Sequence, residues 1–132
     1  MQNLHSKICL VTGGTGLIGS SIVKNLSSSG ATVIFTFNGN KKKSKNLLRD
    51  LEMFDIYCHK LQIPNENSIK KLVKFITKKF GRLDVLINNA GINIPNNFDR
   101  ITVKDWNKIM DVNLKGPFII TQKFLNLLKK SK

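Results

Sequence analysis

An apolar run, Lys7-Ile8-Cys9-Leu10-Val11, leads straight into Thr12-Gly13-Gly14-Thr15-Gly16-Leu17-Ile18-Gly19, and an amphipathic segment continues to Ser29. That order predicts a buried strand, a glycine turn and a helix over 17–29, with Ile18, Ile22, Val23 and Leu26 on one face. The three together build a site for the diphosphate of a dinucleotide. Glycine lets the backbone approach the anion, while the free N–H groups and positive dipole end of the helix face it.

The pattern repeats along the chain. A β-branched and aromatic strand spans Thr32 to Phe37 and is broken by Asn38-Gly39-Asn40. A second helix starts near Lys43 and runs through Leu47, Leu48 and Leu51, and a third strand covers Ile56 to Ile63. Pro64-Asn65 then opens a helix with Ile69, Leu72, Val73, Ile76 and Phe80 at helical spacing, which Gly81 closes. A fourth strand, Leu83 to Asn88, is nearly all apolar, as a strand covered on both faces must be. Thr102 with Asp105 has the form of a capping box before a long last helix, which Gly116-Pro117 interrupts. Strand–helix alternation of this kind predicts an α/β, Rossmann-like doubly wound parallel sheet with helices on both faces, as one domain over 1–132.

With 132 residues and 41% hydrophobic content, the chain can bury one modest core. A net charge of +14 comes mostly from lysine, in clusters at Lys41, Lys42, Lys43 and Lys45, at Lys70, Lys71, Lys74, Lys78 and Lys79, and at Lys129, Lys130 and Lys132. Such a charge suits a polyanion or simply solvated helix faces. Only three arginines and little aromatic interleaving of the basic runs argue against nucleic acid. Cys9 and Cys58 fall in strands and match no disulfide framework, and their spacing to His5 and His59 fits no metal site. No apolar leader and no membrane-length apolar stretch is apparent, so the cytoplasm is the expected compartment.

Two further motifs lie at sensible spacing: Asn88-Asn89-Ala90-Gly91 at the end of the fourth strand, and Asp111-Val112-Asn113-Leu114-Lys115-Gly116-Pro117 in the last helix. With the glycine turn, they make the chain resemble the N-terminal part of the short-chain dehydrogenase/reductase family, in particular its 3-oxoacyl-(acyl carrier protein) reductase-like members. The resemblance covers essentially all 132 residues. It implies that Gly13, Gly14, Thr15, Gly16, Ile18 and Gly19 hold cofactor phosphates and ribose. Gln62 and Ile63 would lie by the adenine, Asn89, Ala90 and Gly91 along the ribose of the nicotinamide half, and Asn113 would match the family's catalytic asparagine, which holds a water in a proton relay. Pro117 adds a physical reason: it has no N–H for the Asn113 carbonyl four residues back, which leaves that carbonyl free to accept from a water or a lysine. We expect Pro117 to bend the helix and present Asn113.

Departures from the family pattern bear on the details. Leu17 stands where the shorter branch of the family has glycine, and Gln62 stands where aspartate is usual near the adenine. About 20 residues past the glycines, an acidic residue would favour NAD and repel a 2′-phosphate. Here that place holds Phe37 and Asn38, with Lys41, Lys42 and Lys43 close behind, so NADP(H) is expected over NAD(H).

The family's general acid/base is a Tyr-x-x-x-Lys pair with a serine; the single tyrosine, Tyr57, has Lys60 at the wrong spacing, and past the last helix only Ser131 is on hand. The chain is therefore expected to bind a dinucleotide and, alone, not to transfer hydride between it and a carbonyl or secondary alcohol. The family's strand order, 3-2-1-4, would leave Val85, Leu86 and Ile87 on an open edge, which predicts a homo-oligomer or a companion chain. The alternatives are a non-catalytic nucleotide-binding or oligomerisation module using the long last helix, and a basic accessory protein for a polyanion.

Overall fold

The computed structural model describes residues 4–131; Lys132, the last member of the basic C-terminal cluster, lies outside them. Strands and helices alternate as β1 (Ile8–Val11), α1 (Leu17–Ser28), β2 (Thr32–Phe37), α2 (Lys41–Asp50), β3 (Ile56–Lys60), α3 (Glu66–Phe80) and β4 (Val85–Ile87). A 3-10 turn (Phe98–Arg100), α4 (Val103–Met110), a π-turn (Asp111–Lys115) and α5 (Gly116–Leu128) follow. The sheet is parallel throughout, in the order β3-β2-β1-β4. This is the first part of a Rossmann-like doubly wound sheet, as the alternation of elements predicts.

The apolar strands are explained by cover on both faces. Successive residues of a strand point to opposite sides. Leu10 and Ile34 enter one layer with Ile69, Leu72 and Ile76 of α3 and Ile120 and Phe124 of α5. Cys9, Val11, Val33 and Phe35 enter the other, with Val23 of α1 and Leu47 of α2. Burial pushes the Cys9 thiol up to about 11 and raises that of the half-buried Cys58 as well. Both cysteines are unpaired and serve as small core residues.

At the amino end of the sheet, Asp84 ties three segments together. Its carboxylate accepts from the Ile8 N–H at 2.8 Å, Arg82 Nε at 3.1 Å and Ser131 Oγ at 3.1 Å. The start of β1, the start of β4 and the end of α5 are thereby fixed to one another. The carboxyl ends of the strands, where the glycine loop lies, are free of this network.

Several boundaries differ from the sequence expectation, each for a local reason. α2 begins at Lys41 rather than near Lys43, because Asn40 Oδ1 accepts from the Lys43 N–H at 2.9 Å and caps it. β3 ends at Lys60, and beyond it the Gln62 N–H turns to Ser68 Oγ at 3.0 Å. β4 is three residues long and half-buried, because among the described residues it is an outer strand of the sheet. The capping box forms as expected: Thr102 Oγ1 accepts from the Asp105 N–H, and Asp105 Oδ2 accepts from the Thr102 N–H, both at 3.1 Å. The Thr102 hydroxyl also donates to Asp105 Oδ2 at 2.6 Å, and this bond first, then that of the Thr102 N–H, holds the Asp105 carboxyl below its ordinary value.

Candidate functional site

The order of the strands reverses direction between β1 and β4, so the loops leaving their carboxyl ends separate and open a crevice. Thr12, the last residue before the glycines, holds the two loops in register. Its hydroxyl oxygen accepts from the Asn89 and Ala90 N–H groups, both at 3.0 Å. In return the Asn89 side-chain amide donates to the carbonyls of Thr12 at 2.9 Å and Gly13 at 3.1 Å. On the other side, the Gly13 N–H reaches Thr36 Oγ1 at 3.2 Å and the Gly14 N–H reaches the Thr36 carbonyl at 2.8 Å. The glycine loop is thus pinned between β2 and the Asn-Asn-Ala-Gly loop before any ligand arrives.

Glycine is required at two positions for different reasons. Gly13 has φ +67°, and a side chain there would also come within 2.9 Å of the Ala90 Cα. Gly19 lies in the first turn of α1, where a methyl group would run into the Gly13 carbonyl and approach Asn89 Nδ2 to 2.7 Å. Its absence of a side chain lets α1 point its start at the crevice from close range. That start is electrostatically open: Gly16 offers no capping side chain, and no acidic residue occupies the first turn. The first N–H groups of a helix have no internal acceptor, so these are available to an anion.

The crevice encloses a cavity of about 540 Å³. Five stretches line it: Gly13 with Thr15 to Gly19, Thr36 to Gly39, Leu61 with Ile63, Asn89 to Ile92, and Val112. No charged side chain is among them, so nothing in the lining repels a phosphate. Just past Gly39, Lys41, Lys42 and Lys43 open α2, whose first turn also has no acidic residue.

Of the residues expected from the sequence, Gly13, Thr15, Gly16, Ile18, Gly19, Asn38, Ile63, Asn89, Ala90 and Gly91 all meet at this cavity. Gly14, Gln62 and Asn113 do not line it. Gly14 is packed beneath Phe35, whose Cβ a side chain at Gly14 would meet at 2.5 Å. Gln62 is exposed, its backbone bonded to Ser68. Asn113 acts one step away: its Oδ1 accepts from the Ile92 N–H at 2.8 Å and its Nδ2 donates to the Ile92 carbonyl at 2.9 Å. It therefore clamps the loop after β4 onto the last helix.

The interruption at Gly116-Pro117 is a π-turn, in which the Gly116 N–H bonds the Asp111 carbonyl five residues back. Gly116 is buried, and a side chain there would run into Ile63 Cγ2. The helix thus makes its irregular turn where it presses on the cavity wall, with Val112 in the lining and Asn113 on Ile92.

Sequence reasoning did not single out Thr12, Thr36, Gly39, Leu61, Ile92 or Val112, and it marked Leu17 only as a departure from the family pattern. Thr12 and Thr36 had a readable signal, a hydroxyl at the carboxyl end of an apolar strand beside a glycine loop. Leu61, Ile92 and Val112 had none, since they reach the cavity only through packing. Tyr57 is elsewhere: it stacks against Phe75 and Phe80, with Lys79 Nζ 4.5 Å from its ring centre. A hydrogen bond to Asp55 is the main cause that raises its pKa. Among the described residues no group of histidine, cysteine and acidic side chains could hold a metal ion, and no helix is long and apolar enough to cross a membrane.

Comparison with known proteins agrees with this fold. The family model described as short chain dehydrogenase matches residues 7–132. The 3-oxoacyl-(acyl-carrier-protein) reductase FabG of Thermotoga maritima is 35% identical over 125 residues, which cover 92% of this chain and 50% of the relative. FabG of Staphylococcus aureus is 33% identical over 120 residues, covering 89% of this chain and 49% of the relative. Among solved structures, the Pseudomonas aeruginosa RhlG/NADP active-site complex superposes with a TM-score of 0.89 at 27% identity, over 99% of this chain and 52% of that one. A blue fluorescent protein from a metagenomic library, in complex with NADPH, gives 0.85 at 29% identity, over 95% and 52%. The chain spans about half the length of the curated relatives it matches. With the family model matched along nearly its whole length, the chain belongs to the short-chain dehydrogenase family.

Proposed function

We propose that this chain is the dinucleotide-holding part of a short-chain reductase, that it prefers NADP(H) to NAD(H), and that it works in the cytoplasm. The observation that carries the reading is the acid-free cavity at the open start of α1, with Gly19 bringing the helix close enough for its N–H groups to meet a diphosphate. Glycines that a Cβ would fill, a cross-linked loop pair and a neutral lining all fit such a cofactor. Lys41 to Lys43 supply cations beside the end of β2, where a 2′-phosphate would be met. Structural neighbours in complex with NADP and NADPH support the choice.

When bound, the nicotinamide supplies hydride chemistry toward a carbonyl or secondary alcohol; the matched relatives are named as reductases of 3-oxoacyl groups on a carrier protein. This chain's own residues bind and orient the dinucleotide, and Asn113 holds the wall beside it through Ile92. Proton donation needs groups outside residues 1–132, from another segment or another polypeptide. Calorimetric titration is expected to give NADPH binding several-fold tighter than NADH. No NADPH consumption is expected with a 3-oxoacyl thioester until a polypeptide bearing the Tyr-x-x-x-Lys segment is added. Failure to bind either dinucleotide would end this reading, and turnover by the chain alone would end the claim that it needs a complement.

A partner surface is part of the same proposal. α4, the π-turn and α5 leave Val103, Trp106, Leu114, Phe118 and Leu125 exposed, with Trp106 59% and Phe118 65% open to solvent. β4 has no neighbour beyond it among the described residues. Large exposed apolar side chains and an unpaired strand edge both favour association. Sedimentation of the chain is expected to give dimers or larger species, and Trp106→Ser with Phe118→Ser is expected to shift them toward monomer. A uniform monomer at high concentration would contradict it.

A further inference from the structure

Two large apolar side chains stand in the open at the mouth of the cavity. Leu17 and Ile18 begin α1 and are 90% and 70% exposed, yet both belong to the cavity wall. Side chains of a helix lean toward its N-terminal end. These two therefore lean toward the very end whose N–H groups are unclaimed. They contribute little to the core, and Leu17 in particular has almost all of its surface in water.

We propose that Leu17, assisted by Ile18, closes over the diphosphate of a dinucleotide bound at the start of α1 and keeps water from it. This rests on the dinucleotide reading above. The attraction between a phosphate and N–H groups grows as the local dielectric falls. An anion at an exposed helix start gains less than one whose site is partly buried. No lysine or arginine lines this cavity, so neutral donors hold the anion and its desolvation matters more than at an arginine-built site. Glycine, the residue of the family's shorter branch at this position, would leave the diphosphate wet. Leucine adds an apolar cover directly after the Gly16 cap.

Calorimetry on Leu17→Ser and Leu17→Ala tests the idea, with NADPH and with adenosine 2′-phosphate, which has the adenosine end and its 2′-phosphate but no 5′-phosphate and so nothing to place at the diphosphate. The expected result is NADPH binding weakened about five- to tenfold, with a steeper dependence on salt and adenosine 2′-phosphate changed by less than about twofold. The melting temperature should not move, because the side chain is exposed. NADPH affinity equal to or above that of the unaltered chain would overturn the proposal. So would an equal loss for both ligands, since the effect would then lie at the adenosine end. If the unaltered chain binds NADPH and Leu17→Ser binds it as well, this inference alone fails; if the unaltered chain binds neither ligand, the dinucleotide reading fails with it.

Discussion

Gly19→Ala should lose NADPH binding by on the order of 10²-fold and should melt at a lower temperature than the unaltered chain. The added methyl group has nowhere to go: it meets the Gly13 carbonyl and lies 2.7 Å from the Asn89 Nδ2 that bonds the carbonyls of Thr12 and Gly13. Both neighbours are held in place, one by backbone and one by two hydrogen bonds, so α1 must move instead. Forced overpacking of this kind costs about 1–3 kcal/mol of stability. A retreat of the helix also withdraws its N–H groups from the diphosphate, and a hydrogen bond to a charged group is worth about 1.5–3 kcal/mol. One or two such bonds account for the loss of affinity, at about 1.4 kcal/mol per tenfold. Gly39→Ala is the control. Gly39 also lines the cavity, but a Cβ there meets nothing within 4 Å. It should bind and melt nearly as the unaltered chain does. Equal affinity in Gly19→Ala and Gly39→Ala would mean that the close approach of α1 to Gly13 has no part in binding.

The contrast between these glycines shows what a sequence can and cannot carry. The glycine spacing marks the loop, but Gly14 turns out to pack under Phe35 while Gly19 meets a carbonyl from the preceding loop. Spacing alone does not separate them. The parallel sheet was legible because strands alternate with helices, and its order came with the family resemblance that the motifs carry. The capping box at Thr102 was legible because its partners lie three residues apart. Long-range ties were not. Thr12 bonds residues 75 to 78 positions away, and Asn113 bonds one 21 positions away. Such pairings appear only once the sheet register is set. Asn113 is the instructive case: its motif marked the residue, and the fold assigns its side chain to holding Ile92. The interruption at Gly116-Pro117 takes the form of a π-turn over Asp111–Lys115, with no room for a side chain at Gly116 against Ile63, and neither feature can be read from the spacing.

Changing Lys41, Lys42 and Lys43 together to glutamate should weaken NADPH binding by on the order of 10²-fold and leave NADH binding nearly unchanged, while the melting temperature rises. The two effects come from one cause with opposite signs. Three cations in the first turn of α2 oppose the helix dipole, and glutamate in their place would favour the helix by about 0.3–1 kcal/mol each. A local arrangement that costs stability without a packing reason points to a role elsewhere. The cavity wall from Phe37 to Gly39 ends just before these lysines, and no acidic side chain stands in it. A dianionic 2′-phosphate near them gains on the order of 1 kcal/mol per lysine at surface dielectric, which NADH, lacking that phosphate, does not. The NADPH difference should shrink in high salt, since exposed charges are screened over roughly 10 Å at 0.1 M. If the lysines were only a solvated helix start, the variant would melt higher and bind both dinucleotides as before. Isothermal titration with NADPH and NADH, beside a thermal melt of the same samples, separates the two outcomes.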